Sequence, residues 1–461
     1  MKGSKQEKAV YLILIFVLAL TVILRLYGIS KIPAFTIDCD MYMTISEGLY
    51  KNPLNYSARD FYERYKKEGI QLPEFLNRPL FVYPPLYCYL IDGSYHLFGL
   101  NERSALFVSL FFGCATVLIV FFIAKALYGA HIAIISSALM SIEPINWISS
   151  EKVWIETTYV FFASLAVLLF ILGLKNRKYL IICGIFLGLS FLSKYQAFLI
   201  LIVVLGFAFL RRKGLFFKKE FWGMLFISFI MFLPWVIWNI KEKNLNTFTD
   251  FFISNYSFSS FRTLFFIFII ALLGGLLLRR QILSSKPKAP IHQNRNIRLL
   301  YLTAVFILAL FFFVRIMPGI LSFKIPSHGF YSGMFSQGSG YFYIVRLIEL
   351  SPIYLLSFIA FLYYFNKRNE DFILILWAGI VLIFHSLWGN FQSRYVLLAV
   401  PALIILASKI ICDIYDKIGI VFDHKLKMLY KFFYFLIFTI FLFKNILVSV
   451  VLAIIDHPCY F

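Results

Sequence analysis

AVYLILIFVLALTVILRLY, residues 9–27, is an apolar run long enough to cross the roughly 30 Å hydrocarbon core of a bilayer as one helix. The short basic stretch Met1–Lys8 precedes it, and no small-residue cleavage site follows, so it reads as a retained first helix rather than a cleaved signal peptide. Comparable runs recur at 104–124, 131–149, 154–173, 179–193, 196–210, 221–239, 262–278, 299–317, 343–365, 371–388, 395–412 and 432–455. The sequence therefore predicts an all-α polytopic membrane protein of about thirteen transmembrane helices, with about 11–13 as the range. The stretch 179–210 is expected to break at Ser193-Lys194 in a tight turn. Composition agrees: 61% of residues are hydrophobic, only 15% are charged, and mean hydropathy is +0.82. A soluble enzyme so apolar would expose large aggregating patches. The six cysteines show no CxxC pair and no zinc-like spacing.

Lys+Arg 44 against Asp+Glu 23 leaves a formal charge of +21. In a soluble chain that excess would suggest nucleic acid. Here the cations gather at Lys2/Lys5/Lys8, 175–178, 211–219, 279–298, Lys367/Arg368 and 409–431, which share one side if the N-terminus is inside. This is the positive-inside pattern of a cell-membrane protein, so the charge reports topology and no nucleic-acid partner is expected. The largest outer loop is then 28–102, with a charged helical segment at Ser57–Gly69. Within it 79–98, PLFVYPPLYCYLIDGSYHLF, would invert every later loop if it crossed, and its Tyr-rich, Pro-broken composition favours an element lying at the outer interface. Two further outer loops are expected at 240–261 and 318–342. The chain reads as one membrane unit over 1–461, and 408–461 is a membrane segment with no recognisable motif.

The acids are few, and several fall at outer helix ends, among them Asp38, Asp40, Glu143, Glu151 and Glu156. Lys194, Arg346 and Arg394 lie at the same level. A charge at the centre of a membrane helix costs at least about 2.5–3.5 kcal/mol, so such groups either face a cavity or partner, or sit near the edge as solvated loop-end charges. In AFTIDCDMYMTISEGLYKNP, residues 34–53, the pair Asp38 and Asp40 stands just beyond the first helix. A carboxylate there can serve as general base toward a hydroxyl, and two of them at this spacing can hold a divalent metal. A turn with two solvated acids has the same sequence.

These stretches resemble the polyprenyl-phosphate-sugar-dependent glycosyltransferases of the GT-C superfamily, the protein O-mannosyltransferase and lipid A aminoarabinose transferase type. Asp38, Tyr42 and Ser46 fall at the D, Y and A positions of the acidic motif D-E-x-x-Y-x-x-x-A, with Cys39 in place of its second acid. Tyr83-Pro84-Pro85-Leu86-Tyr87 followed by His96-Leu97-Phe98-Gly99, then Asn101 to Leu106, resembles the end of that family's first outer loop. Trp147 to Lys152 followed by Glu156, Gly188 to Lys194, Pro234-Trp235 with Asn239, and Arg394-Tyr395 with Pro401 follow in family order.

The resemblance implies a GT-C fold and transfer of a sugar from a polyprenyl-phosphate donor to a hydroxyl on lipid, glycan or protein, at the extracytoplasmic face and with inversion. Asp38 would be the base, with Asp40 as helper or substitute and Glu156 orienting the acceptor or pairing with a cation. Lys194 and Arg394 would bind the donor phosphate, and His385 could hydrogen-bond it or simply pack. Tyr42, at the motif tyrosine, would be a substrate-binding residue. Tyr83, Tyr87 and Trp147 are expected to stack on sugar rings or to form the interfacial aromatic belt, with the belt preferred. No nucleotide-sugar loop is present, and a divalent metal at Asp38/Asp40 rests on spacing alone. The competing classes are a transporter or lipid flippase, whose groups would sit near the midplane, and a polysaccharide ligase or polymerase with a lipid-diphosphate donor.

Overall fold

The first apolar run forms α1 (Lys2–Lys31), the opening helix of an architecture that contains no strand among its described residues. In the computed structural model these are residues 2–31, 36–244, 342–365, 368–387, 392–421 and 424–455. The helices expected at 262–278 and 299–317, and the outer loops at 240–261 and 318–342, fall wholly or almost wholly outside them.

The stretch expected as the first outer loop contains short helices. Thr36 caps α2 (Ile37–Lys51) by accepting the Cys39 N–H at 3.3 Å, which starts the helix just before Asp38 and Asp40. Both acids lie in its first turn, where the helix dipole favours negative charge. The charged segment forms α3 (Arg59–Lys67). The stretch of uncertain topology becomes α4 (Leu86–Phe98), whose 13 residues reach only about 20 Å, too short to cross. α4 lies against α2 and α5 (Glu102–Tyr128).

The core helices follow. α5 packs on α6 (Ala130–Ser141) and α8 (Glu156–Gly173), and α8 on α9 (Lys178–Ser193). The expected break after Ser193 is present: Lys194 is extended, a 3-10 turn follows at Tyr195–Ala197, and α10 (Phe198–Arg211) runs back. α11 (Lys219–Lys241) packs along α9. Beyond the undescribed stretch come α12 (Phe342–Leu350), α13 (Ile353–Tyr364), α14 (Asn369–Leu387), a 3-10 segment at Ser393–Ala399, α15 (Val400–Val421) and α16 (His424–Ile455).

Two expected spans are broken. The run 131–149 bends by 56° between α6 and α7 (Pro144–Ser150), because Pro144 occupies the first helical position and the Glu143 side chain caps it. The run 343–365 is divided between α12 and α13 at Ser351-Pro352. Six helices among the described residues are long and apolar enough to cross a membrane, or seven when the bent pair counts as one. The chain is a multi-pass membrane protein, and the count of thirteen is not reached in the described part.

At the end of the bundle away from α2, hydroxyl–carboxylate contacts tie the helices together. Tyr128 on α5 donates to Asp371 Oδ1 on α14 at 2.8 Å, and Asp413 on α15 accepts from Tyr364 on α13 and, at 2.9 Å, from Lys409. The α9–α11 contact is closer still. A Cβ on Gly184 would stand 2.5 Å from the Met224 carbonyl oxygen, and one on Gly188 2.5 Å from Met231 Cβ. This small-xxx-small spacing lets the two backbones touch, the usual means of helix association where burial from water supplies little drive. Gly184→Val must push backbone away from backbone and is expected to cost about 1–3 kcal/mol. A lowered thermal unfolding midpoint in detergent checks this, and an unchanged midpoint would mean the seam is slack.

Candidate active site

Four charged side chains meet where α2, α8, α9 and the 3-10 segment at 393–399 converge. Asp38, from the first turn of α2, accepts a hydrogen bond from Arg394 Nη2. Arg394 Nε donates to Gln392 Oε1 at 2.7 Å and stands 3.8 Å from Glu156 Oε1. Glu156 opens α8 and accepts from Lys194 Nζ at 2.7 Å. Lys194 reaches it because the chain is extended there (φ −155°), at the end of α9. The order is acid, cation, acid, cation, with no net charge.

Exposure differs along this chain. The side chains of Lys194 and Glu156 are 3% and 2% exposed, and that of Arg394 is 8%. Asp38 keeps 31% and forms the accessible end. Glu156 Oε2 is buried with no hydrogen-bond partner among the described residues, so the site holds a spare buried acceptor.

Aromatic rings enclose the cations. The Arg394 guanidinium lies 4.4 Å over the Trp154 ring, and Trp154 Nε1 donates to Thr36 Oγ1 at 3.1 Å. Trp154 therefore joins the cap of α2 to the arginine that pairs with Asp38. Lys194 Nζ lies 5.1, 5.5 and 5.8 Å from the ring centres of Tyr395, Tyr159 and Tyr83. His385, on α14, stacks on Tyr395 at 6.0 Å, so it sits in the layer behind the lysine rather than in the ion chain. Both His385 ring nitrogens are buried without a hydrogen-bond partner among the described residues.

Asp38, Glu156, Lys194 and Arg394, read as candidates from the sequence, thus come together, with Tyr83 and His385 beside them. Others lie elsewhere. Asp40 faces α3, where Arg64 Nη2 donates to it at 2.5 Å and to Thr44 Oγ1 at 3.0 Å. The two aspartates therefore engage different arginines and do not converge on a shared cation. No group of three His, Cys, Asp or Glu side chains suited to a metal occurs among the described residues. Tyr42 is buried with its ring edge-on to Tyr87 at 5.1 Å. Tyr87 and Trp147 need correction: both are interior rather than belt residues. Tyr87 is fully buried with its hydroxyl 2.7 Å from Ser109 Oγ, and buried Trp147 donates from Nε1 to Glu151 Oε1 at 2.5 Å. Sequence reasoning missed Gln392, Trp154 and Tyr159. The one available signal was position: Trp154 and Gln392 each lie two residues before a charged site residue.

A second polar cluster lies beside the first. Arg25, from α1, is fully buried and donates from Nη1 to the Ser141 carbonyl at 2.9 Å. Glu143 accepts from Tyr354 at 2.5 Å and caps α7. Burial pushes the Glu151 carboxyl up to about 8, although the Trp147 hydrogen bond and the Arg25 and Lys152 charges pull it down.

A family model described as dolichyl-phosphate-mannose-protein mannosyltransferase matches residues 82–238, a stretch that includes Glu156 and Lys194 but not Asp38 or Arg394. Among solved structures, the oligosaccharyltransferase AglB of Archaeoglobus fulgidus, in complex with an inhibitory peptide and a dolichol-phosphate, superposes with a TM-score of 0.60 at 16% identity, over 97% of this chain and 56% of that one. ArnT of Cupriavidus metallidurans in the apo state gives 0.55 at 14%, over 88% and 62%. ArnT bound to undecaprenyl phosphate gives 0.55 at 13%, over 96% and 77%. No curated protein matches significantly. The fold is similar to that of ArnT and AglB. The chain spans 62% and 56% of the lengths of apo ArnT and AglB.

Two predictions follow from the charges. Lys194→Met leaves the Glu156 carboxylate buried beside a lost partner and is expected to destabilise by about 3–5 kcal/mol, whereas Lys194→Met with Glu156→Gln recovers much of the loss. Thermal unfolding of both variants in detergent distinguishes this from a packing effect, which the second change would not repair. Glu151, raised from 4.5 to about 8, favours the folded state when protonated. Its contribution is full below about 4.5 and is lost as pH rises through about 8. Glu151→Gln should flatten the fall of the midpoint across that window, and an unaltered slope would assign it to other groups.

Proposed function

We propose that the chain transfers a sugar from a polyprenyl-phosphate donor to a hydroxyl of a lipid, glycan or protein acceptor, at the extracytoplasmic face of the cell membrane, with Asp38 as general base. The observation that carries this reading is the ion chain: one partly exposed carboxylate held by an arginine, with a buried lysine and a second acid behind it.

The chemistry assigns each member a task. The acceptor oxygen attacks the anomeric carbon and its proton passes to Asp38. The bond from that carbon to the phosphate oxygen breaks, and the electron pair leaves with the lipid phosphate. A carboxylate in this role accelerates transfer by about 10²–10⁴-fold. Charge gathering on the phosphate is met by Arg394 and Lys194. Arginine can engage two phosphate oxygens at once, and lysine acts as a point charge. Both begin partly neutralised by carboxylates, which keeps two cations stable in a buried place before the donor arrives. Glu156 holds Lys194 and Arg394 at a fixed spacing. Attack opposite the departing phosphate, with no carboxylate–sugar intermediate, inverts the anomeric centre. The solved relatives that bind dolichol-phosphate and undecaprenyl phosphate support a lipid-linked donor.

The test is transfer by purified protein in nanodiscs, offering labelled polyprenyl-phosphate sugars with membrane lipids and surface proteins as acceptors. Asp38→Asn, which keeps an acceptor for Arg394 but loses the charge, is expected to lower turnover by at least about 10²-fold in protein that still unfolds cooperatively above the assay temperature. Undiminished turnover in Asp38→Asn would remove the base role from Asp38. Label that crosses the bilayer still attached to its lipid would replace transfer by flipping.

A further inference from the structure

The opposite end of α9 and α10 carries a different charge pattern. A cleft of about 440 Å³ opens where the turn after α8 meets the 3-10 turn Lys213–Phe217 between α10 and α11. Its lining includes Arg177, Arg211, Arg212, Lys213 and Lys218, and none of its lining residues is acidic. α9, with its 16 residues, separates it from Lys194 by about 24 Å, so it is not an extension of the ion chain.

Topology alone explains cations in this loop, but not their shared concavity. Arg177 precedes α9, Arg211 and Arg212 end α10, and Lys218 sits at the N-cap of α11. The C-terminal dipole of α10 favours its arginines, whereas Lys218 stands at the positive end of α11. Like charges drawn together around a cleft repel, and an anion seated among them removes that cost. The α11 N-terminus adds backbone donors of the kind that bind phosphate.

The rim identifies the kind of anion. Phe217 is 87% exposed, and Phe209, Leu210 and Trp222 on the flanking helices are exposed as well. The Trp222 indole donates to the Phe216 carbonyl at 2.8 Å and so holds the aromatic turn in place. Exposed aromatics beside a basic cleft match the boundary between acyl chains and headgroups.

We propose that this cleft binds the phosphodiester headgroup of an anionic phospholipid, in the leaflet opposite the Asp38 end. Arg177, Arg212, Lys213 and Lys218 supply the charge that meets the phosphate, the Arg211 guanidinium rests 4.3 Å from the Phe372 ring centre beside them, and the Phe217 side of the turn lies against the acyl chains. The proposal stands on the cleft and its rim and is independent of the sugar-transfer reading.

The test measures affinity of the full chain in detergent for dihexanoyl-phosphatidylglycerol, dihexanoyl-phosphatidylcholine and glycerol 1-phosphate. Arg212→Ala/Lys213→Ala removes two exposed cleft charges. Lys66→Ala/Lys67→Ala removes the same charge from exposed positions on α3. Phosphatidylglycerol is expected to bind more tightly than the other two. Its affinity should fall about tenfold in the cleft variant and stay unchanged in the control. Equal affinity for phosphatidylcholine, or equal losses in both variants, would overturn the site. Glycerol 1-phosphate binding as tightly as the lipid would overturn the lipid assignment in favour of a soluble phosphate.

Discussion

Arg394 sits between two carboxylates inside a protein that has little water to offer it, and the placement of every neighbouring element can be read from that fact. A buried guanidinium needs nearly all of its donors engaged. Asp38 and Gln392 accept from it, Glu156 stands close by, and Trp154 covers its face. To supply these partners the chain must bring the start of α2, the start of α8 and the 3-10 segment at 393–399 to one point. The separation in sequence between Asp38 and Arg394 is most of the chain, so their pairing also closes the bundle.

The same constraint explains the division between tight and open parts. Lys194 and Glu156 Oε1 pair in the interior with Glu156 Oε2 left over, and of the four charged groups only Asp38 meets the exterior. One end of the bundle is therefore a neutral alternating array. The other end holds tyrosine–carboxylate ties between α5, α13, α14 and α15, while the cations of the α8–α9 and α10–α11 turns stand outside them.

Much of this was legible in the sequence for a physical reason: charges are scarce in an apolar chain, so each one marks a place. Asp38, Glu156, Lys194 and Arg394 could be singled out on that ground and by the order of motifs around them. The turn at Lys194 and the helix at 59–67 were likewise visible as interruptions of pattern. Less visible was anything set by three-dimensional neighbours. Tyr87 and Trp147 have belt-like sequence contexts, and only packing reveals that Ser109 and Glu151 hold them inside. Asp38 and Asp40 are two residues apart, yet the turn of a helix sends them to different arginines. The breaks at Pro144 and Pro352 fall inside runs that are apolar on average, although Glu143 stands directly before the first proline and Glu349 shortly before the second. Gln392 and Trp154 carry no charge pattern of their own.

The glycine seam has a mechanical consequence. With Gly184 and Gly188 pressed on α11, α9 has no clearance to roll about its own axis, so Lys194 can be displaced only if α11 travels with it. Trp235 on α11 donates to the Tyr195 hydroxyl at 3.0 Å, and that hydroxyl donates to the Val82 carbonyl at 3.0 Å. The lysine, the paired helices and the segment leading to Tyr83 thus form one lever, and the short helices α2 to α4 are its far arm.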